Sequence, residues 1–497
     1  MTSGPPIPSP AMRQALEAAG VPTLRLPFLT SLVDGKAVTG ETEFEVLEKF
    51  TRAPVARLSE ASRAQVADAV RVAQRAFETG APPPHERAKI LRRVGALLDR
   101  DRARFAALIV AETGFTQADA AMEIDRSIVT LQLSAEEATR IAGEMVPFGA
   151  SPGQQDRIGF TLRVPVGVVC AITPFNSPLN TVLHKITPAL AAGNAVLLKP
   201  SNLTPLTPAL LCELFLEAGL PPALLGLLQG AGDTVGRYLL EEPAIAFYAF
   251  TGSTRVGRIV QQAAGLRRTQ LELGSIASTI VCADADLDRA AAKIANAAFR
   301  KAGQVCTSVQ RLYAERGVAE DVAARVVAEA RRMPAGNPWK SETRIGPMIT
   351  EAAAERTVAW VAEATGSQAR LLTGGNRAGA VMEPTLLGGL RSGMRVLDQE
   401  IFAPVLSILP FDELSEAVAG ANATPYGLSA GIFTRDINAA MRAAKALRFG
   451  AVHINEASSA RGDAMPFGGV KESGFGREGP QYAIREVTEE RLVTINP

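Results

Sequence analysis

Histidine, cysteine and net charge are all scarce in this chain of 497 residues. A formal net charge of +1 lacks the basic surplus typical of nucleic-acid-binding proteins and gives no attraction to an anionic membrane surface. The four cysteines show no CxxC spacing and no disulfide framework. We therefore expect reduced thiols in a reducing, cytoplasmic compartment, and no bound metal.

Long apolar segments are missing as well. The longest uncharged run, 164–183, contains three prolines and two asparagines, so no membrane-spanning helix is expected there. The first ten residues, MTSGPPIPSP, have neither the basic start nor the apolar block of a signal peptide. We predict a flexible tail over residues 1–30.

The patterns that are present indicate an α/β protein. Apolar residues make up 47% and charged residues 21%, as in globular proteins, and the length calls for two or three folding units. Apolar residues recur at helical spacing through 59–143, where Pro82–Pro84 separate two predicted helices. From residue 164, short β-type runs alternate with helical patterns, and a second alternating set begins near Thr279. Such alternation predicts doubly wound parallel sheets in two lobes with a cleft between them.

Three residues have the chemistry of a catalytic site. Cys306 lies in the polar loop GQVCTS, where a thiol can be reached and activated, whereas the other three cysteines sit in apolar runs typical of buried thiols. Glu272 is flanked by leucines in LELG, which would raise its pKa towards that of a general base. Asn176 in TPFNSP is either a turn residue or an amide donor to an oxyanion.

Seven sequence blocks resemble the aldehyde dehydrogenase superfamily in order and approximate spacing, over about 32–497. They are TPFNSP, KPSN, FTGSTRVG, LELG, GQVCTS, EIFAPV and MPFGGVKESGFGREG. The resemblance implies a Rossmann-type cofactor-binding domain (31–143 and 164–273) and an α/β catalytic domain (274–470). It also implies a β-ribbon (144–163 and 482–497) that joins subunits into a homodimer or homotetramer.

The resemblance also implies a role for each catalytic residue. Cys306 would attack the aldehyde carbon, and Asn176 with the backbone N–H of Cys306 would hold the oxyanion. Hydride would pass to NAD or NADP, and Glu272 would activate the water that hydrolyses the thioester. Relatives that transfer the acyl group to coenzyme A lack this glutamate, so its presence favours hydrolysis.

A larger set of residues would bind the cofactor. Gly252 and Ser253 open a helix whose N-terminus suits a pyrophosphate. Lys199 and Glu400 would bind ribose hydroxyls. The string GAGDTVG at 230–236 lacks the glycine spacing of the usual dinucleotide fingerprint. The remaining expected contacts are Thr173, Pro174, Ser201, Asn202, Gly232, Phe250, Val256, Leu273 and Phe402.

Asn202 departs from the pattern of many NAD-using relatives, which have a glutamate after KPS. Its neutral amide removes repulsion against a 2′-phosphate and weakens the hold on an unphosphorylated ribose. The choice between NAD and NADP stays open, and asparagine in place of that glutamate favours NADP or the use of both cofactors.

The substrate is less constrained by the sequence. Arg126 and Arg461 match positions at which non-phosphorylating glyceraldehyde-3-phosphate dehydrogenases hold phosphate, although both arginines also have acidic neighbours in the chain. That branch has a third arginine directly before the catalytic cysteine, where this chain has Val305. We expect a short aldehyde, with or without an α-hydroxyl group, that has a phosphate, sulfonate, phosphonate or carboxylate group. Phe175, Thr307 and Phe467 would complete the pocket.

Other functions are weighed against this one. A lactaldehyde-like or general aliphatic enzyme needs no anion site. A cysteine hydrolase would need a histidine base for Cys306, and none of His85, His184 and His453 matches one. A catalytically inactive, purely structural member of the superfamily would be expected to have lost the nucleophile or the base.

Overall fold

The computed structural model describes residue 14 and residues 28–496. Apart from residues 14 and 28–30, the tail predicted at 1–30 lies outside the described residues. No helix within 28–496 is long and apolar enough to cross a membrane. Two extended sheets form the centre of the architecture, as the alternation of strands and helices predicts.

The first sheet has eight strands within the described range, and its five central strands are parallel. Their apolar runs are buried on both faces, which is typical of parallel strands covered by helices. The spatial order is Gly474–Phe475, Arg268–Glu272, Ile245–Thr251, Val168–Ile172, Ala195–Lys199, Leu225–Leu227, Ser31–Val33 and Lys36–Val38.

Helices surround this sheet, and local signals in the sequence set several of their ends. A capping box at Ser62 begins the first of them, and Pro84 occupies the first turn of the second. The long helical pattern after Pro84 is divided at Asp101 into two helices. The helices are Arg63–Thr79, Pro84–Arg100, Arg102–Thr113, Gln117–Ala138, Asn180–Ala192, Leu206–Glu217, Arg237–Glu241 and Thr254–Ala264.

The second sheet has seven strands in the described part of the chain, all parallel except the first in spatial order. That order is Arg370–Thr373, Thr385–Gly388, Val405–Phe411, Val309–Glu315, Ala277–Val281, Ser429–Phe433 and Ala451–Ile454. The accompanying helices are Leu287–Phe299, Ala319–Arg331, Glu351–Gly366, Arg395–Asp398, Leu414–Asn422 and Ile437–Ala446. Helix Pro480–Glu486 packs instead against Gln117–Ala138 and Asn180–Ala192, two helices of the first sheet.

A β-ribbon lies apart from both sheets. Thr488–Ile495 pairs antiparallel with Ile158–Pro165, whose other edge pairs with Met145–Val146. Residues 482–486, which the sequence analysis includes in the ribbon, belong instead to helix Pro480–Glu486. The role of the ribbon in joining subunits, and the domain boundaries, stay predictions.

The smaller elements complete the chain. Short sheets pair Phe28–Leu29, Pro54–Glu60 and Thr42–Leu47, and also Arg377–Ala378 and Val381–Met382. Single helical turns occur at Phe148–Ala150, Pro222–Leu224, Gly232–Gly236, Arg300–Gly303, Arg316–Val318 and Lys471–Ser473.

The topology of the first sheet marks where a ligand can bind. From strand Val168–Ile172 the chain builds outward on one side, and then crosses back to place Ile245–Thr251 on the other side. Ligands of open α/β sheets bind at such a switch point, in the crevice at the carboxyl ends of the strands. The segments TPFN and TGS emerge from these two strand ends.

Candidate active site

A cavity of about 530 Å³ lies at this switch point and is lined from both sheets. Every residue that the sequence analysis assigned to the site lines it, although their individual roles stay predictions. For catalysis these are Asn176, Glu272 and Cys306. For the cofactor they are Thr173, Pro174, Lys199, Ser201, Asn202, Gly232, Phe250, Gly252, Ser253, Val256, Leu273, Glu400 and Phe402. For the substrate they are Arg126, Phe175, Val305, Thr307, Arg461 and Phe467.

Cys306 lies in the loop that precedes strand Val309–Glu315, and the backbone reaches it through three left-handed residues. Lys301, Ala302 and Gly303 have φ angles of 53°, 54° and 67°. Gly303 must be glycine, because a Cβ there would lie 2.1 Å from a backbone carbonyl oxygen of the facing loop. The other two residues adopt an unfavourable conformation that only the surrounding structure can maintain.

Asn176 contacts this loop directly. Its Nδ2 donates to the carbonyl oxygen of Gln304 at 2.8 Å. Gln304 is fixed in turn, since its Oε1 accepts from the backbone N–H of Ile349 at 2.8 Å and its Nε2 donates to the carbonyl oxygen of Lys301 at 3.2 Å. The amide of Asn176 is therefore oriented beside Cys306, with a second N–H left for an oxyanion.

Glu272 ends a strand of the first sheet and is only 3% exposed. Neither of its carboxylate oxygens has a hydrogen-bond partner in the part of the chain that the structure describes. Burial, followed by repulsion from Glu478, raises its pKa well above the ordinary range. A buried, unpaired carboxyl group is costly for folding, and such groups are typical of functional sites.

The Cys306 thiol keeps partial exposure to the cavity, but protein surrounds it. Burial raises its pKa to about 12, and the nearby carboxylates of Glu272, Glu478 and Glu400 act in the same direction. Arg461 is the cation that opposes this shift. The thiol is therefore largely protonated at neutral pH in this state of the protein.

A compact ionic group lies behind Glu272. Glu478 is buried, accepts from Arg461, and lies 2.9 Å from Nζ of Lys185. Burial opposes the ionisation of Glu478, but Lys185 and Arg461 outweigh it and hold its pKa below the ordinary range. The guanidinium of Arg461 also stacks 3.9 Å from the ring centroid of Phe467. Glu478 is thus an anion beside a carboxyl group that resists ionisation.

The donor set at the other end of the cavity fits a dinucleotide. Burial lowers the pKa of Lys199 to about 8. Its ammonium donates to one backbone carbonyl oxygen, so two N–H groups remain for ribose hydroxyls. Burial raises the pKa of Glu400 to about 7, while Ser275 donates its N–H to Oε1 at 2.9 Å. A Cβ on Gly274 would lie 2.8 Å from Oε2 of Glu400, so a larger residue there would displace this carboxylate. Ser253 caps the helix whose N-terminus faces the cavity.

Both arginines expected to bind substrate already have carboxylate partners. Arg126 donates to Asp463 through Nη2 at 2.7 Å and Nε at 3.1 Å. Asp463 also accepts from Asn180 at 2.9 Å and is 3.0 Å from Nε2 of His184. Arg461 is bound to a glutamate, as described above. Their charges are therefore partly neutralised before any substrate enters.

Arg300 lines the same cavity and was missed by the sequence analysis. No carboxylate among the described residues pairs with it, and burial lowers its pKa. It follows helix Leu287–Phe299 together with Lys301, at a position where cations usually interact with the helix C-terminus. The local pattern therefore does not distinguish a cavity residue from a solvated one. Glu478 was also missed, although it lies in the matched block ending GREG. Only the tertiary structure brings Glu478 to Glu272.

The raised pKa of Cys306 makes a prediction about its reactivity. Iodoacetamide reacts with the thiolate, so without cofactor or substrate its second-order rate constant should rise about tenfold for each pH unit between about pH 7 and pH 10. Peptide mass spectrometry would measure the modification of Cys306, with a Cys306→Ser variant as the control. A rate constant that levels off above about pH 9 would show that the thiol has an ordinary pKa of about 8.5.

Comparison with known proteins identifies the family. The sequence profile of the aldehyde dehydrogenase family matches residues 36–493. The chain is 44% identical to 3-sulfolactaldehyde dehydrogenase of Priestia aryabhattai, over 93% of this chain and 97% of that protein. It is 34% identical to lactaldehyde dehydrogenase of Methanococcus vannielii, over 93% of this chain and 99% of that protein.

A solved structure agrees with this assignment. The NADP-dependent glyceraldehyde-3-phosphate dehydrogenase of Bacillus halodurans C-125, complexed with NADP, superposes with a TM-score of 0.92 at 32% identity. The match covers 95% of this chain and 99% of that one. The chain belongs to the aldehyde dehydrogenase family, an oxidoreductase family that uses NAD(P).

Proposed function

We propose that this enzyme oxidises a short aldehyde to the carboxylic acid through a thioester on Cys306, which water then hydrolyses. The observation that carries the proposal is the convergence of a thiol, an oriented amide and an unpaired buried carboxyl group in one cavity with a dinucleotide-type donor set. Each group has a distinct place in the reaction.

In the first half of the reaction, the thiolate of Cys306 adds to the aldehyde carbon. The second N–H of Asn176 and the backbone N–H of Cys306 stabilise the oxygen as it becomes negative. NAD(P) would supply the hydride acceptor for this carbon, which would leave the thioester on Cys306. Lys199, Glu400 and the helix that follows Ser253 would hold the cofactor.

In the second half, Glu272 removes a proton from water, and the hydroxide adds to the thioester carbon. Collapse of this adduct breaks the carbon–sulfur bond and releases the acid and the thiolate. A raised pKa suits this step, because it makes the Glu272 carboxylate a stronger base than an exposed one. Its unpaired oxygens leave room for a water molecule in the hydrogen-bonding sphere.

Replacing Glu272 by glutamine should separate the two halves. Glu272→Gln keeps the shape of the side chain but cannot accept the proton, so a first burst of NAD(P)H of about one equivalent per subunit should form at near the parental rate. Steady-state turnover should fall by about 100-fold to 10,000-fold. Stopped-flow absorbance would measure both phases. Loss of the burst, or unchanged turnover, would contradict the proposal that Glu272 acts in the hydrolytic step.

The substrate that we propose has an anionic group, and Arg300 is the residue best suited to bind it. Its guanidinium faces the cavity without a carboxylate partner in the described chain, whereas Arg126 and Arg461 are already paired. Asp119 and Glu123 act on the Arg300 charge only from a distance, so its N–H groups are available to an anionic ligand. The sulfonate-bearing substrate class named for the Priestia relative supports this proposal. Arg126 and Arg461 would add their remaining N–H groups.

Arg300→Met should test the anion site directly. We expect KM for succinate semialdehyde to rise by about tenfold to 100-fold, because a hydrogen bond to a charged group is lost, while KM for butanal stays unchanged. Steady-state kinetics with both aldehydes would show the difference. Arg391→Met, on the exposed surface, is the matched control, and Arg126→Ala with Arg461→Ala reports on the other two arginines. Equal changes for the charged and neutral aldehydes would contradict an anion site.

A neutral, lactaldehyde-like substrate is the second candidate. It is favoured by the pairing of Arg126 and Arg461 and by the apolar wall of Phe175 and Phe402, whose rings meet edge-to-face at 5.9 Å. Lactaldehyde is the named substrate of the Methanococcus relative. A hydrolase is disfavoured, because His184 pairs with Asp463 and the cavity-lining residues of the described chain include no histidine. A retired structural protein is disfavoured by the complete catalytic group.

The cofactor preference follows from Asn202, which lines the cavity beside Lys199. Because Asn202 offers no negative charge, we propose that NADP is used at least as well as NAD. Asn202→Glu should lower kcat/KM for NADP by about tenfold or more through repulsion of the 2′-phosphate, and should leave or improve that for NAD. Kinetics with both cofactors would decide this, and a strong preference of the parent enzyme for NAD would contradict the proposal.

Two broader proposals accompany the activity. The ribbon leaves apolar side chains exposed, among them Leu162 and Leu492, which supports a homodimer or homotetramer. All four cysteines are free, which supports a reducing, cytoplasmic location.

A further inference from the structure

A buried ion pair joins the two loops that carry Asn176 and Cys306. Nζ of Lys301 lies 2.8 Å from Oε2 of Glu123, and the two side chains are 10% and 3% exposed. The steps proposed above require no chemistry from either residue. The pair nevertheless lies against the reacting groups, since Lys301 lines the cavity.

Glu123 holds the loop that carries Asn176. Its Oε1 accepts from the hydroxyl of Ser177 at 2.9 Å and from the backbone N–H groups of Leu179 and Asn180 at 3.1 and 3.3 Å. Burial alone would raise the pKa of Glu123, but Lys301 and these donors hold it below the ordinary value. One carboxylate oxygen therefore accepts three hydrogen bonds from residues 177–180, the segment that directly follows Asn176.

Lys301 belongs to the other loop, close before Cys306. Besides Glu123, its ammonium donates to the carbonyl oxygen of Asn176 at 3.2 Å and lies 4.8 Å from the ring centroid of Phe115. It reaches these partners from left-handed backbone, with φ 53° and ψ 29°. Through its ammonium, Lys301 thus links the residue that would bind the oxyanion to the segment that carries Cys306.

We propose that Lys301 and Glu123 are positioning residues, which hold the Asn176 amide at the place where the oxyanion develops on the Cys306 adduct. The inference rests on the proposed function. Exchanging a buried ion pair for apolar groups is often neutral or stabilising, so stability does not require a pair here. The orientation of the Asn176 amide does require such a pair, because an oxyanion donor works only within hydrogen-bond distance of the developing charge.

The experiment measures three quantities on the full-length enzyme. The rate of the NAD(P)H burst reports on the oxyanion step, and alkylation of Cys306 by iodoacetamide reports on the thiol without forming an oxyanion. Thermal unfolding reports on stability. The variants are Lys301→Met, the doubly neutral pair Glu123→Gln with Lys301→Met, and Asn176→Ala. Lys293→Met removes a lysine that pairs with Glu456 and does not line the cavity, and is the matched control.

Lys301→Met alone leaves Glu123 buried without a counter-ion, so a lower Tm is expected. The double variant removes both charges and should recover most of this loss. Its alkylation rate should match that of the parent, while its burst should stay slower by about tenfold to 100-fold, as for a misplaced catalytic group. Adding Asn176→Ala to the double variant should slow the burst little beyond Asn176→Ala alone, since both act on one donor.

Opposite outcomes separate the two proposals. If the burst rate and the Tm of the double variant both return to the parental values, the pair contributes only to stability. Full additivity with Asn176→Ala would also overturn the positioning role, since Lys301 would then act on something else. If Asn176→Ala itself leaves the burst unchanged, the oxyanion role in the proposed function fails. If Asn176→Ala slows the burst but the double variant does not, only the positioning proposal is contradicted.

Discussion

The withdrawal of water from charged groups is the constraint on which this cavity depends. Burial is the largest cause of the raised pKa of both Glu272 and Cys306. Burial makes the carboxylate a stronger base, and it makes the thiolate costly until a substrate or a cation compensates. Arg461 is the cation that favours the thiolate, and Glu478 binds it at the same time. Base, nucleophile and ion pair therefore form one electrostatic unit.

The fold provides this unit by bringing two sheet edges together. The carboxyl ends of the first sheet carry Asn176 and Glu272, and the loop before a strand of the second sheet carries Cys306. Strain is stored where they meet, in the left-handed residues Lys301 and Ala302. The buried contacts of Lys301 and Gln304 hold that conformation. Rigidity at the site thus comes from polar contacts between loops, while the sheets supply the apolar support.

Charge balance explains how the substrate end of the cavity can be selective. Arg126 is bound to Asp463 and Arg461 to Glu478, so these arginines act first as parts of the wall. Arg300 has no such partner in the described chain, and burial disfavours its charge. Under the proposed function, a cation without an ion pair lets this end of the cavity discriminate by charge, since it would bind an anionic group more tightly than a neutral one. The same reasoning makes the pairs of Arg126 and Arg461 poor indicators of substrate by themselves.

The sequence by itself determined the α/β class through its alternating pattern. It determined the family and many residues of the cavity through the resemblance of blocks such as TPFN, LELG and GQVCTS. It did not reveal the roles of Arg300, Glu478 or the Lys301–Glu123 pair. A charged residue near a helix end has the same local pattern whether it meets solvent or a cavity, and Glu123 is distant from Lys301 in the chain. The burial that sets the pKa values of Glu272 and Cys306 comes from residues far apart in sequence. Only the tertiary structure decided which charges meet and which stay unpaired, because desolvation depends on what packs around a group and not on its neighbours along the chain.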